Sequence, residues 1–264
     1  MEDVITAIPP PSRFFVDDLN NFTPPSPPLP SPFLLFSPPN SHRHISPSLL
    51  IIAISSSSLH VFHQVSSKTL IGTLILPEIP FSGNSIEPSL GDKSCNIYAL
   101  NNGDNLIVIV SVQYPIAAER AHAVAKLLIG EQIVPEKVLI LDSVQSRNFR
   151  GRLSPDETLA FKLETSQQRN SGESLLRGVD YFPSGSVVDG LSAAVLARCQ
   201  LKNIKGSLVV SWPEFGGPTT WLVKSLLLKD VLPGLEFEMD GQGDDVWAKF
   251  GLAKDLAADS ELYT

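Results

Sequence analysis

The prolines of this chain are spread unevenly, and that limits where regular structure can form. Twelve of the 22 fall at or before Pro47. Proline has no backbone N–H and a fixed φ. A run such as Pro24-Pro25-Ser26-Pro27-Pro28-Leu29-Pro30 therefore cannot donate a regular ladder and favours an extended conformation. Residues 1–47 are expected to be a disordered Pro/Ser-rich segment in which Phe14, Phe15, Phe33 and Phe36 are scattered apolar anchors. The other 217 residues carry ten prolines, an ordinary density for one folded domain. A domain of that size buries roughly 70% of its unfolded surface, enough for a core without disulfides or metal.

Charge and cysteine usage narrow the function classes. The net charge of −8 argues against a general binder of nucleic acid or membrane surfaces. Two cysteines, Cys95 and Cys199, exclude a disulfide scaffold and point to a reducing compartment. Apolar runs such as Leu49–Ile54 and Leu106–Val110 have strand length, short of the ~18–20 residues that span a bilayer. The start, MEDVITAIPPP, lacks the basic and long apolar regions of a signal peptide. A cytoplasmic protein, present also in the nucleus, is the expectation.

From Leu49 onward the pattern is one of short strands and amphipathic helices. Leu49–Ile54 reads as a strand, Ser55–Ser58 as a turn, and Leu59–Val65 as a second, alternating strand. A strand over Leu70–Leu76 ends at Pro77. Ile97–Leu100 and Leu106–Val112 bracket Asn101-Asn102-Gly103-Asp104, a hairpin turn because Asn and Gly accept positive φ. A helix over Pro115–Ile129 ends at Gly130, and Val138–Leu141 is a buried strand, so the pair forms a crossover unit with parallel neighbours. After a polar stretch with one ordered segment at Leu159–Leu163, Asp189 caps a helix through Lys202. The strand Ser207–Trp212, a helix over Pro218–Lys229 and a last amphipathic helix over Asp245–Ala257 follow. That last helix carries Val246, Trp247, Phe250, Ala253 and Leu256. The expected fold is α/β: a layered αβα domain over 48–257 with a central mixed sheet, followed by a short flexible tail over 258–264.

The sequence carries no catalytic constellation, and no cofactor or metal is expected. Gly185–Ser192 resembles a phosphate loop, but Leu191 stands where the lysine must be, so it reads as a loop entering a helix. Neither a G-x-S-x-G elbow nor a dinucleotide fingerprint occurs. On a strand, His60 and His63 would face opposite ways, and His42 and His44 have no nearby partners to complete a metal site. Cys199 lies on an apolar helix face, as a structural thiol would. Arg147, Arg150 and Arg152 around Phe149 fit either a solvated loop or a contact for phosphate or an acidic partner. Trp212, Trp221 and Trp247 fit either a core or an interface.

The ending Leu262-Tyr263-Thr264 is the informative motif. A hydrophobic residue, tyrosine and one further residue arise by chance about 0.7% of the time at this composition, which makes a specific role worth weighing. Leu262 can enter an apolar notch, Tyr263 can donate one hydrogen bond, and the Thr264 carboxylate can pair with a lysine.

Leu49-Leu-Ile-Ile-Ala-Ile54 with Leu59-His-Val-Phe62 resembles the first strand pair of the proteasome assembly chaperone 1 family. Asp189–Gln200, running through Ile204 into Ser207–Trp212, is similar to that family's helix–strand signature, and Leu262-Tyr263-Thr264 to its C-terminal hydrophobic–tyrosine–any (HbYX) motif. The resemblance implies a non-enzymatic chaperone of 20S core particle assembly. It implies a heterodimer with a second assembly chaperone that binds the proteasome α-ring and needs no ATP. Leu262 and Tyr263 would fill an inter-subunit pocket and the Thr264 carboxylate would meet its lysine, promoting ring formation and blocking premature activator binding. Two tails presented together would gain from effective concentration. The alternative is an α/β hydrolase or phosphorylase-like enzyme whose active-site residues are far apart in sequence.

Overall fold

An apolar run with no alternation needs cover on both faces, and this requirement places Leu49–Ala53 at the centre of the sheet. A computed structural model describes residues 30–37, 44–102, 105–173 and 175–237. In chain order the elements are β1 (Phe33–Phe36), β2 (Leu49–Ala53), α1 (Ser56–His63), β3 (Thr69–Ile75), β4 (Cys95–Asn102), β5 (Asn105–Val112) and α2 (Ala118–Leu128). There follow β6 (Lys137–Ser143), β7 (Leu159–Glu164), α3 (Ser166–Asn170), β8 (Asp180–Tyr181), α4 (Gly190–Leu201), β9 (Lys205–Trp212) and α5 (Gly217–Leu226), which continues as a π-helical turn over Leu227–Val231.

The strands form one nine-stranded mixed sheet in the order β1-β3-β4-β5-β2-β6-β9-β7-β8. The centre, β5-β2-β6-β9, is parallel, with Leu50 opposite Val108 on one side and Val138 on the other. Antiparallel pairing adds β4, β3 and β1 beyond β5 and adds β7 beyond β9, with β8 then parallel to β7. Alternation along the strands splits the core in two. Leu50, Ile52, Val108, Val110, Ile140 and Leu208 pack with Val124 and Leu128 of α2 and Val195 and Cys199 of α4. Leu49, Ile51, Ile109, Leu139 and Val209 pack on the other face with Leu59 and Phe62 of α1 and Val223 of α5. This is the layered αβα arrangement that the sequence pattern leads one to expect.

Several local expectations are corrected. Ser55–Val65 is not a turn and a strand. Ser55 caps α1 by accepting the Ser58 N–H at 3.3 Å, Ser58 Oγ returns to the Ser55 carbonyl at 2.7 Å, and the helix runs to His63. Pro115 precedes α2, which begins at Ala118, and Gly130 follows its end, where a Cβ would lie 2.4 Å from the Lys126 carbonyl. Asp189 occupies the N-cap position of α4 without capping it through its side chain. Within the proline-rich segment, Phe33–Phe36 pairs with β3 as an edge strand, and Ile45 bridges Ile133. The hairpin β4–β5 forms with Asn102 opposite Asn105, while Gly103 and Asp104 lie outside the described residues, as does the expected helix over 245–257.

Candidate functional site

Helices after adjacent parallel strands leave β2 and β5 toward opposite faces of the sheet, α1 to one side and α2 to the other. At such a reversal the carboxyl ends of the strands are uncovered, which opens a crevice. Here it is a cleft of about 870 Å³, lined by Ile54 after β2, Val112 to Ile116 after β5, Asp142 to Arg147 at the end of β6, and Trp212 to Phe215 after β9. The first residues of α4, Gly190 to Ser192, close one side and Leu90 to Lys93 another.

Three carboxylates of the cleft, Asp142, Asp189 and Asp92, hold its walls. Asp142 accepts the Ser143 N–H at 2.8 Å and the hydroxyl of buried Ser192, tying β6 to the first turn of α4. Asp189 accepts Asn148 Nδ2 at 2.8 Å and lies 3.6 Å from Arg147, so its carboxylate fastens the 146–148 turn rather than capping α4. Asp92 accepts the N–H groups of Ser85 and Ser89 at 3.0 and 2.9 Å and the Ser89 hydroxyl at 3.0 Å. Burial alone would raise its pKa, but these hydrogen bonds outweigh burial and hold it below the usual carboxylate value. Gln113 donates to the Ser89 carbonyl at 2.6 Å and accepts from Ser94 at 2.8 Å, locking the same loop to β5. Trp212 donates Nε1–H to the Ser154 carbonyl at 2.8 Å. The loop carrying Arg147, Arg150 and Arg152 is anchored from beneath by Phe149, whose ring lies 5.5 Å from Phe161 and 5.8 Å from Phe182. The three arginines are exposed on an aromatic foot.

His44, His60 and the two cysteines have structural settings, while His42 lies outside the described residues. His44 donates Nδ1–H to the Glu131 carbonyl at 2.9 Å and accepts from Ser46 at 2.8 Å. His60, on a helix rather than a strand, is buried and accepts from Gln64 at 3.1 Å. Among the described residues no group of three or more His, Cys, Asp or Glu is placed to hold a metal ion. Burial pushes the thiols of Cys95 and Cys199 up to about 12. At pH 8 the thiolate fraction is then about one part in ten thousand. Mass spectrometry after iodoacetamide is expected to find both cysteines unmodified in the native protein and both alkylated in denaturant; native alkylation of either would contradict that environment.

Among the tryptophans, Trp212 is half-buried in the cleft wall, while Trp221 on α5 is 70% exposed and fits a surface role. Trp247 lies outside the described residues, and so do Leu262, Tyr263 and Thr264. The cleft itself was missed from sequence. Its walls come from residues as distant as Ile54 and Phe215, and its only local signal was the glycine-bearing entry to α4.

No protein-family model and no curated protein sequence matches the chain. Solved structures do share its fold. A protein of unknown function from Thermoplasma acidophilum superposes with a TM-score of 0.58 at 15% identity, over 83% of this chain and 89% of that one. The fold is also that of Pyrococcus furiosus PbaA, described as an archaeal homolog of proteasome-assembly chaperone, at TM-score 0.59 and 16% identity over 87% of this chain and 99% of PbaA.

Proposed function

We propose that this protein is a non-enzymatic chaperone of 20S proteasome assembly. It pairs with a second, related assembly chaperone and binds the α-ring, and its C-terminal tail docks in a pocket between adjacent α subunits. Leu262 fills the apolar part of the pocket, Tyr263 sets the register with its hydroxyl, and the Thr264 carboxylate pairs with a lysine. Occupied pockets favour ring closure and keep activators away until the core particle matures. The observation that carries this reading is the fold shared with PbaA over 87% of the chain. Three cleft carboxylates, Asp142, Asp189 and Asp92, are engaged in holding loops and α4 in place, which favours it over an enzyme that would use them.

The test is capture from extract by the full chain beside a variant lacking Leu262–Thr264, with blots for α subunits and for a related chaperone. Truncation is expected to reduce captured α subunits about tenfold or more, since losing one of two linked contacts forfeits the gain from effective concentration. The chaperone partner is expected to be retained. Capture of no α subunit by the intact chain would overturn the proposal.

A further inference from the structure

On one face of the β1 end Leu34 and Leu74 are buried in the α2–α4 core, but the other face is uncovered. On the face that α1 and α5 cover at the centre, Phe33 and Leu35 of β1 are 48% and 55% exposed. Their partners across the strand pair are Ile75 and Thr73. A bulge between Leu70 and Gly72 adds to this face. Beyond it Leu70 stands opposite Tyr98, on the side of Asn96 and Thr73, and is 46% exposed. Ile71 and Gly72 turn to the opposite core, where a Cβ on Gly72 would lie 2.7 Å from Phe36. The bulge therefore carries a third large apolar side chain onto an uncovered strip, when a regular strand would have alternated it away.

The described chain ends beside that strip. Phe237 forms an antiparallel bridge with Val65, four residues before β3, and Leu232–Glu236 share the lining of a small pocket with Ser67 and Leu100. Residues 238–244, Glu-Met-Asp-Gly-Gln-Gly-Asp, follow and can span roughly 23 Å when extended. The sequence then places Val246, Trp247, Phe250, Ala253 and Leu256 at helical spacing, on a segment roughly 20 Å long if helical. β3, with seven residues, is roughly 23 Å long.

We infer that residues 245–257 dock as an amphipathic helix on the exposed face of β1 and β3, with Trp247 and Phe250 against Leu35 and Leu70. The docked segment is a third helix on the α1–α5 layer. Seven residues, 258–264, remain beyond it, so the HbYX ending projects from the β1 end of the sheet. Only that last point rests on the tail-docking function; the intramolecular contact stands on the strip, the chain exit and the helical spacing. The competing segment within the chain, around Phe14 and Phe15, is joined to β1 through Pro24–Pro32, whose extended preference opposes folding back.

Hydrogen exchange read by mass spectrometry on the full-length chain tests this without any proteasome component. Amides of residues 246–257 are expected to exchange at least about tenfold more slowly than an unstructured segment. In a Leu35→Asp/Leu70→Asp variant they are expected to return to the unstructured rate, while the amides of β2 and β5 keep their protection and report an intact fold. Trp247→Ala/Phe250→Ala is expected to release the segment in the same way. Free exchange of 246–257 in the unmodified chain overturns the inference, and so does protection that survives the strip substitutions. Protection that grows with protein concentration would assign the strip to a second copy, and protection at residues 14–22 lost with the strip substitutions would assign it to the N-terminal segment. Each of those results overturns it too. Because the readout uses the free chain, it can fail while α-subunit capture succeeds, and the reverse.

Discussion

Replacing Lys162 by alanine is expected to destabilise the fold by about 3–5 kcal/mol, which for a chain of this size lowers Tm by about 10 °C or more. Lys162 is a strand residue of β7 with 9% side-chain exposure, an unusual place for an ammonium. It is tolerated because its neighbours answer its charge. Nζ donates to the Leu176 carbonyl at 3.0 Å, lies 3.6 Å from Glu164 Oε1, and stands 5.1 Å from the centre of the Tyr181 ring. Tyr181 donates its hydroxyl to Glu164 Oε2 at 2.6 Å, and this bond raises the pKa of the phenol by favouring the protonated form. Glu164 Oε1 has no hydrogen-bond partner of its own, so the ammonium is its electrostatic counterweight. Removal of Lys162 strands a carboxylate that is 4% exposed. Thermal and urea denaturation of Lys162→Ala beside Lys162→Met/Glu164→Leu check the cause: the double variant is expected to recover most of the loss. A single variant as stable as the parent would show that the pair contributes little.

Phe62→Ala is expected to cost a similar ~3–5 kcal/mol through lost transfer energy and a residual cavity. Phe62 is 1% exposed and is the largest fully buried side chain among the described residues. It belongs to α1 and packs in the core shared with α5, so its loss loosens two helices at once. The urea midpoint should fall with the slope unchanged, and a changed slope would mean that the truncated chain no longer unfolds in one step.

Phe62 also marks where sequence pattern and structure part. Leu59, Val61 and Val65 alternate as a strand would, yet Leu59 with Phe62 and Val61 with Val65 satisfy helical spacing equally well. Four consecutive serines looked like a turn; the structure buries them, with Ser55 and Ser58 closing the first turn of α1 on each other. Strands such as Leu49–Ala53, Lys137–Ser143 and Lys205–Trp212 were legible because continuous apolar runs of strand length have few other uses. Phe33–Phe36 was not, because an edge strand amid prolines has little intrinsic preference and forms by pairing with β3. The cleft was illegible for a topological reason. Ile54, Asp92, Asp142 and Trp212 meet only after strands distant in sequence become neighbours. Asp189 takes the expected N-cap position, but its carboxylate finds Asn148 and Arg147 instead of the helix N–H groups.

The position of β2 has a consequence for how the chain is made. Leu49–Ala53 leaves the ribosome among the first strands, but the two strands that flank it are β5 and β6, and Leu50 finds its partners only at Val108 and Val138. Between those moments a five-residue apolar segment, buried on both faces in the finished sheet, has no native strand neighbour and only α1 to cover one face. Long-range parallel pairing of this kind is slow, and exposed apolar strands are the species that aggregate. The nascent chain therefore passes through a vulnerable interval that closes when residue 143 has emerged and β2 can be clasped from both sides.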